Sequence, residues 1–453
     1  MMSTESEHGA DERGWLKQSS NVSMEEVNSS VRVPHKAGFW RKLLAFAGPG
    51  SLVAVGYVDP GNWATSIAGG ARFGYTLLSV ILLSNLVAIL LQSLSSKLGI
   101  VTGRDLAQAT RDATGKKTAF CLWILTELAI IATDLAEVIG SAIALHLLFG
   151  IPLLLGITIT TLDVLLLLYL QKKSFRLIES IVIVLMFTIF VIFVFEVIVS
   201  KPEITALFGG YVPQKEIVTN PQMLFISLGI LGATVMPHNL YLHSSIVQTR
   251  QYQRTRDGKK EAIKFSLIDS TFSLTVAFLI NSAILILGAA AFYGTNLHVS
   301  EIEAAYELLS PTLGVGIAST LFAVALLASG QNATITGTMS GQIVMEGFIH
   351  LRISPWLRRL ITRLLAVVPA FIVTWLAGSK GTGELLLWSQ VVLSLALPFA
   401  VIPLVLFTSD KKKMGEFANR LPVKIVAWLC TVVIVILNIF LIGYIIVTGQ
   451  DLG

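Results

Sequence analysis

Asp59-Pro60-Gly61-Asn62 and Met236-Pro237-His238-Asn239 share the pattern x-Pro-x-Asn, and each interrupts a long apolar stretch near its middle. Small residues precede both: Gly48, Gly50 and Gly56 before the first, Gly229, Gly232 and Ala233 before the second. Proline removes a backbone donor and clashes with the preceding helical turn, and Gly61 loosens the first break further. Each stretch is therefore expected to form two half-helices joined by unwound backbone. In lipid that backbone must be buried or line a polar cavity, because exposed N–H and C=O groups find no water there. Simple proline kinks would account for the two prolines but not for an Asp and two Asn at the same breaks.

The surrounding chain has 453 residues, 54% hydrophobic and only 13% charged, with a mean hydropathy of +0.75. An ordinary soluble domain carries about 25% charged residues. The composition excludes a soluble enzyme, a disordered chain and a nucleic-acid reader, and indicates a polytopic α-helical membrane protein. Apolar stretches of spanning length, about 20 residues each, run over 44–71, 75–96, 119–149, 151–170, 177–199, 221–247, 267–293, 312–349, 364–379, 384–408 and 425–447. The breaks fall in the first and sixth of these eleven spans, which cross in opposite directions. The expected fold is all-α: two inverted five-helix repeats (44–199 and 221–408), an eleventh helix (425–447) and a disordered cytoplasmic tail (1–43) with a short helix near 24–31. Broken helices at matching positions of inverted repeats point to a transporter's substrate site at the membrane midplane.

The net charge of +5 and pI of about 9.1 have a simple cause. With the N-terminus in the cytoplasm, 29 of the 33 Lys and Arg fall in cytoplasmic segments, leaving Arg72, Lys201, Lys215 and Lys380 outside. This is the positive-inside pattern, and it requires no nucleic-acid partner. An odd span count puts Gly453 outside the cell, and the short loops favour a bacterial plasma membrane. Lys411-Lys412-Lys413 reads as an orientation signal that also meets anionic lipid heads. Cys121 and Cys430 lie within apolar stretches and lack metal-ligand spacing.

Asp59 places a carboxylate near the midplane, at a cost of roughly 2.5–3.5 kcal/mol, so it must be paired, protonated or bound to a cation. Asn62 offers an amide oxygen, Met236 a thioether sulfur, and Ala233 a backbone carbonyl freed one turn before the second break. Hard oxygens beside a soft sulfur, with one formal negative charge, favour Mn²⁺, Fe²⁺, Co²⁺ and Cd²⁺ over Ca²⁺ and Mg²⁺. Core packing is the alternative role for Met236. Glu127, Asp134 and Glu137 share one face of span three, within about 80° of arc. Such a row reads as a proton relay, as salt bridges to Arg359 and Arg363 of span nine, or as both. His238 and His243 are too far apart around a helix for a shared zinc site, and no His-Glu-x-x-His string exists, so an intramembrane protease is not expected. Asp163, Glu179, Glu196 and Asp269 lie near span ends, and Asn281, Asn332 and Asn438 read as interhelical glue.

The two x-Pro-x-Asn strings resemble the signature motifs of the Nramp family of proton-coupled divalent metal transporters. Gly330-Gln331, Thr334, Thr336-Gly337-Thr338, Gly341-Gln342 and Met345-Glu346-Gly347 in span eight resemble that family's transport signature. The likeness covers about 40–447 and is nearest to the family's bacterial manganese transporters. It implies a leucine-transporter-like fold, with Asp59, Asn62, Met236 and the Ala233 carbonyl as metal ligands. It also implies that Gly56 contributes a carbonyl in one state, that Gln390 approaches the metal on occlusion, and that His238 governs proton passage, with Asp59 taking part in both events. The implied activity is import of Mn²⁺ and Fe²⁺, with Cd²⁺ and Co²⁺ also carried, driven by protons and without a cofactor or obligate protein partner. A sodium-coupled amino-acid or solute symporter of the same fold, and a Mg²⁺-selective relative, are the alternatives.

Overall fold

The computed structural model describes residues 23–34, 37–160, 175–295, 302–349 and 354–448. Span one is two half-helices, Pro49–Gly56 and Pro60–Phe73, and span six is another two, Pro221–Thr234 and Pro237–Ile246. All four start on proline. At the first helical position the missing N–H would have had no partner, and the fixed φ suits the helix. The prolines that end one half-helix thus begin the next. Around them stand span two (Leu78–Thr102), span three (Lys116–Phe149), span five (Phe175–Ser200), span seven (Arg256–Phe292), span eight (Ala318–Ile349) and span eleven (Leu421–Thr448). Spans nine and ten share one helix, Pro355–Ser409, which bends at Gly378 where φ is 64°. Span four begins as the helix Leu153–Ile159, and its expected remainder, with Asp163, lies outside the described residues.

Among the described residues, eight helices are long and apolar enough to cross a membrane. The half-helices of span one are too short individually, and the Gly/Thr/Gln-rich middle of span eight lowers its hydropathy. Burial ranks the spans: 94% of the apolar window of span six is enclosed by protein, against 28% for span eleven. The broken spans are therefore central, and spans five, nine and eleven present large apolar side chains such as Phe187, Trp375 and Ile439 outward, as a lipid-facing surface requires.

The described part of the expected tail is folded. A 3-10 turn, Glu25–Val27, replaces the longer helix foreseen near 24–31, and β1 (Val31–Arg32) pairs in parallel with β2 (Arg250–Gln251) just after span six. Ser23 donates to Asp105 at 2.6 Å, and the Met24 N–H donates to Glu346 at 2.9 Å. The segment finds hydrogen-bond partners at the ends of three separate regions, which its polar composition alone does not reveal.

Candidate transport site

The first break consists of Tyr57, Val58 and Asp59. Asp59 caps the second half-helix: its Oδ1 accepts from the Asn62 backbone N–H and from Asn62 Nδ2, both at 2.8 Å. Acidic N-cap followed by proline is a strong local instruction for a helix start. In a continuous helix the carbonyls of Gly56 and Ala233 would accept from residues 60 and 237, but both are proline and have no N–H. The freed Ala233 carbonyl accepts from Asn62 Nδ2 at 2.9 Å, so the two breaks meet. Side chains satisfy the other unwound carbonyls: Asn281 donates to Tyr57 at 2.6 Å, while Ser329 at 2.5 Å and Trp63 at 3.2 Å donate to Val58.

The second break contributes Met236, whose Sδ accepts from Asn239 Nδ2 at 3.6 Å. Asn239 lies against Gly56, where any added Cβ would stand 2.3 Å from its amide nitrogen. Only glycine permits that approach. Met236 also packs with Ala129 of span three and Leu393 of span ten. Gln390 lies against Gly61, donates to Ser389 at 2.8 Å, and leaves its Oε1 without a hydrogen bond. Asp59, Asn62, Ala233 and Met236 are all buried, and Asp59 Oδ2 has no hydrogen-bond partner. The Asn62 NH₂ sits between two oxygens of different spans, marking a point where positive charge is stabilised. Among the described residues no three or more His, Cys, Asp or Glu gather into a metal cluster, so a cation at this point relies on amide, carbonyl and thioether donors beside a single carboxylate.

His238, next to the second break, is fully buried with no hydrogen bond at either ring nitrogen, and Asp134 of span three is near enough to act on it electrostatically. Further along span three, Glu137 pairs with Arg363 at 3.1 Å, both side chains wholly buried, and accepts from Thr334 at 3.1 Å. Glu127 accepts from Arg358 at 3.0 Å and from Trp123 at 3.1 Å. Span nine thus supplies Arg363 as expected, but the arginine on Glu127 is Arg358. The side chain of Arg359 lies outside the described residues. Arg358 rests on Gly341, where a methyl would stand 2.0 Å from its guanidinium. His243 joins a chain of its own, with Nδ1 3.0 Å from Gln92 Oε1 and Gln92 Nε2 donating to Tyr57 at 2.7 Å. That chain ties the first break to span six through span two.

Residues that sequence reading left without roles hold the start of span one. Asp269 accepts from the N–H groups of Gly48 at 3.3 Å and Gly50 at 2.7 Å, and Glu179 pairs with Arg250 at 2.7 Å. Arg250 and Arg176 both donate to the Ala47 carbonyl at 2.7 Å. Asn281, expected only to join helices, touches the site itself, 3.4 Å from Asn62 Oδ1. The recurrence of Asn in both x-Pro-x-Asn strings was a signal for Asn239. Nothing local in the sequence singles out Asn281 or Arg358.

Two broken, centrally buried helices whose polar groups converge define a secondary transporter of the inverted-repeat class. The family described as natural resistance-associated macrophage protein-like, Nramp, matches residues 50–443. A protein of Listeria welshimeri named Divalent metal cation transporter MntH is 67% identical over 437 residues, covering 96% of this chain and 98% of its own. One of the same name from a Nostoc species is 61% identical, covering 93% and 95%. The solved structure of the Eremococcus coleocola manganese transporter superposes with a TM-score of 0.86 at 46% identity, covering 93% of this chain and 90% of that one. Mhp1, a nucleobase-cation-symport-1 family transporter, matches at 16% identity with a TM-score of 0.60, a likeness of fold alone, here the leucine-transporter-like fold. The chain belongs to the Nramp family. It is a multi-pass membrane transporter, not an enzyme.

Proposed function

We propose that the protein imports Mn²⁺, and with it Fe²⁺, Cd²⁺ and Co²⁺, by proton-coupled alternating access around the two breaks. The observation that carries this reading is the meeting of Asp59, Asn62 and the Ala233 carbonyl across spans one and six, within 2.9 Å hydrogen bonds. Relatives named as divalent metal cation transporters support it. Asp59, Asn62, Ala233 and Met236 bind the metal, the freed Gly56 carbonyl joins in one state, and Gln390 closes over it. One negative charge against a divalent ion leaves the loaded site positive. A negative-inside potential then drives inward movement by about 2.3 kcal/mol per charge per 100 mV.

Protons leave by a separate route. Asp59 releases a proton as the metal binds, and His238, Asp134, Glu137 and Glu127 with the span-nine arginines carry it away. The N-terminus faces the cytoplasm and the C-terminus the exterior. A carboxylate at the break repels the carboxylate of an amino-acid substrate, which disfavours the symporter alternative, and the thioether disfavours a Mg²⁺ carrier. The test is Mn²⁺ uptake into proteoliposomes under an imposed pH gradient, with Ca²⁺ as competitor. Asp59→Ala is expected to fold and to lose uptake, and wild-type uptake by that variant overturns the site.

A further inference from the structure

The end of span two, the segment preceding span seven and the connection between spans ten and eleven enclose a cavity of about 320 Å³. Arg254, Lys259, Lys413 and Glu416 line it, beside Thr102 and Gly103. Its cations arrive from two stretches that are far apart in sequence but brought to one place by the fold. Lys97 of span two already reaches the Asn419 side chain, which anchors the ten–eleven connection there.

The charges in and around this cavity do not balance. Lys413 pairs with Asp410 at 2.7 Å, and Glu416 pairs with Arg256 at 2.6 Å. Lys259 donates to the Val101 carbonyl at 2.8 Å, a neutral partner. Arg254 makes no ion pair with a described residue. Four cations (Arg254, Arg256, Lys259 and Lys413) thus face two carboxylates (Asp410 and Glu416), an excess of two positive charges. Arg254 is exposed and Lys259 half-buried, so solvent screens them in part, but two cations side by side on one wall of a half-open cavity still favour an anion between them.

We propose that this cavity binds a dianionic phosphate group, either the phosphomonoester headgroup of an anionic lipid or free inorganic phosphate. Such a group carries about −1.5 to −2 charge and three acceptor oxygens, which matches the excess and the three lining cations Arg254, Lys259 and Lys413. The Arg254 guanidinium supplies forked donors and the lysines point charges. A lipid source fits a pocket at the membrane-proximal end of span two on the basic face of the protein. Occupancy links three segments that otherwise meet through few bonds, so it stabilises this arrangement of the bundle. The metal plays no part in it.

The experiment is thermal unfolding of the purified full-length protein in uncharged detergent, with dioctanoyl phosphatidic acid, inorganic phosphate or dioctanoyl phosphatidylcholine added. Phosphatidic acid is expected to raise the midpoint by about 2–4 °C. An equal rise with inorganic phosphate assigns the site to free phosphate, and a rise confined to the lipid assigns it to headgroups. Arg254→Gln, which breaks no ion pair, and the double variant Arg254→Gln/Lys413→Gln are expected to lose the rise, while Lys424→Gln on the same face keeps it. An equal rise with phosphatidylcholine, a rise retained in Arg254→Gln, or no rise with either phosphate source overturns the proposal. Mn²⁺ uptake by Arg254→Gln separates this result from the transport reading, because the variant leaves the metal site untouched.

Discussion

Met236 is the one soft atom among the oxygens at the breaks, and its sulfur already accepts a weak hydrogen bond from Asn239. Replacing it with Ala leaves every oxygen in place and opens volume that a water can fill. On the proposed ligand set, Cd²⁺, the softest ion, loses most, by about 10-fold or more in uptake efficiency. Ca²⁺ and Mg²⁺ never gained from sulfur, so their relative transport rises. Side-by-side uptake of Mn²⁺, Cd²⁺ and Ca²⁺ in matched proteoliposomes measures this, and an unchanged Ca²⁺-to-Cd²⁺ ratio makes Met236 a packing residue. Asp59, Asn62 and Met236 were legible because they lie beside prolines whose chemistry breaks a helix wherever it occurs. Asn281 and Gln390 come from unbroken helices, where a polar side chain has the same signature whether it faces a neighbour or a cavity.

At the level of the element, helix phase decides what a sequence can and cannot tell. Each residue turns the helix by about 100°, so Arg358, one position before the Arg359 named from sequence, points a different way around Pro355–Ser409, and it is Arg358 that reaches Glu127. The one-faced row of span three was readable because its internal spacing does not depend on where the helix begins. If that row conducts protons, Asp134→Asn lowers pH-driven proton flux in proteoliposomes while Mn²⁺ affinity stays within about 3-fold, a bound of less than 1 kcal/mol. Collapse of affinity with flux intact removes the relay.

Asp105 offers a second element-scale test. It caps the helix Leu106–Ala113, accepting from Gln108 N–H at 2.9 Å and from Ser23 at 2.6 Å, and burial pushes its carboxyl up from 3.8 to about 6, against the opposing pull of those hydrogen bonds. Between these values the folded protein holds a proton that the unfolded chain has released. The stability this gives is complete below about pH 4 and is lost as pH rises through about 6. Asp105→Asn keeps a cap acceptor and does not titrate. Its stability relative to wild type should therefore climb across that window, by on the order of 3 kcal/mol, read from unfolding midpoints. A flat difference contradicts the assignment.

At the scale of the whole molecule, hydropathy and proline placement carried the architecture, and polar pairing did not. Eleven apolar stretches were readable although span eight is too polar, and the halves of span one too short, to satisfy a simple spanning criterion. The segment 23–34 was not readable, since it is held by backbone pairing and by buried hydrogen bonds whose partners lie elsewhere in the chain. The 29 basic residues assigned to one side predict where the ends lie. Epitopes appended to the two termini are expected to differ in sealed, right-side-out vesicles: protease removes the C-terminal one and spares the N-terminal one. Removal of both, or of neither, refutes the odd span count.

The docking of the N-terminal segment also has a history in time. Met24 is among the first residues made, yet the carboxylate its N–H donates to belongs to Glu346, 322 positions later. Translation at about 5–20 residues per second separates their appearance by tens of seconds, and β2 emerges partway through that interval. Its partners at Asp105 and in β2 are made first, and only the bond to Glu346 must wait while spans one to seven and most of span eight are synthesised. That last bond closes only after span eight has arrived, so its closure records that most of the bundle has been made.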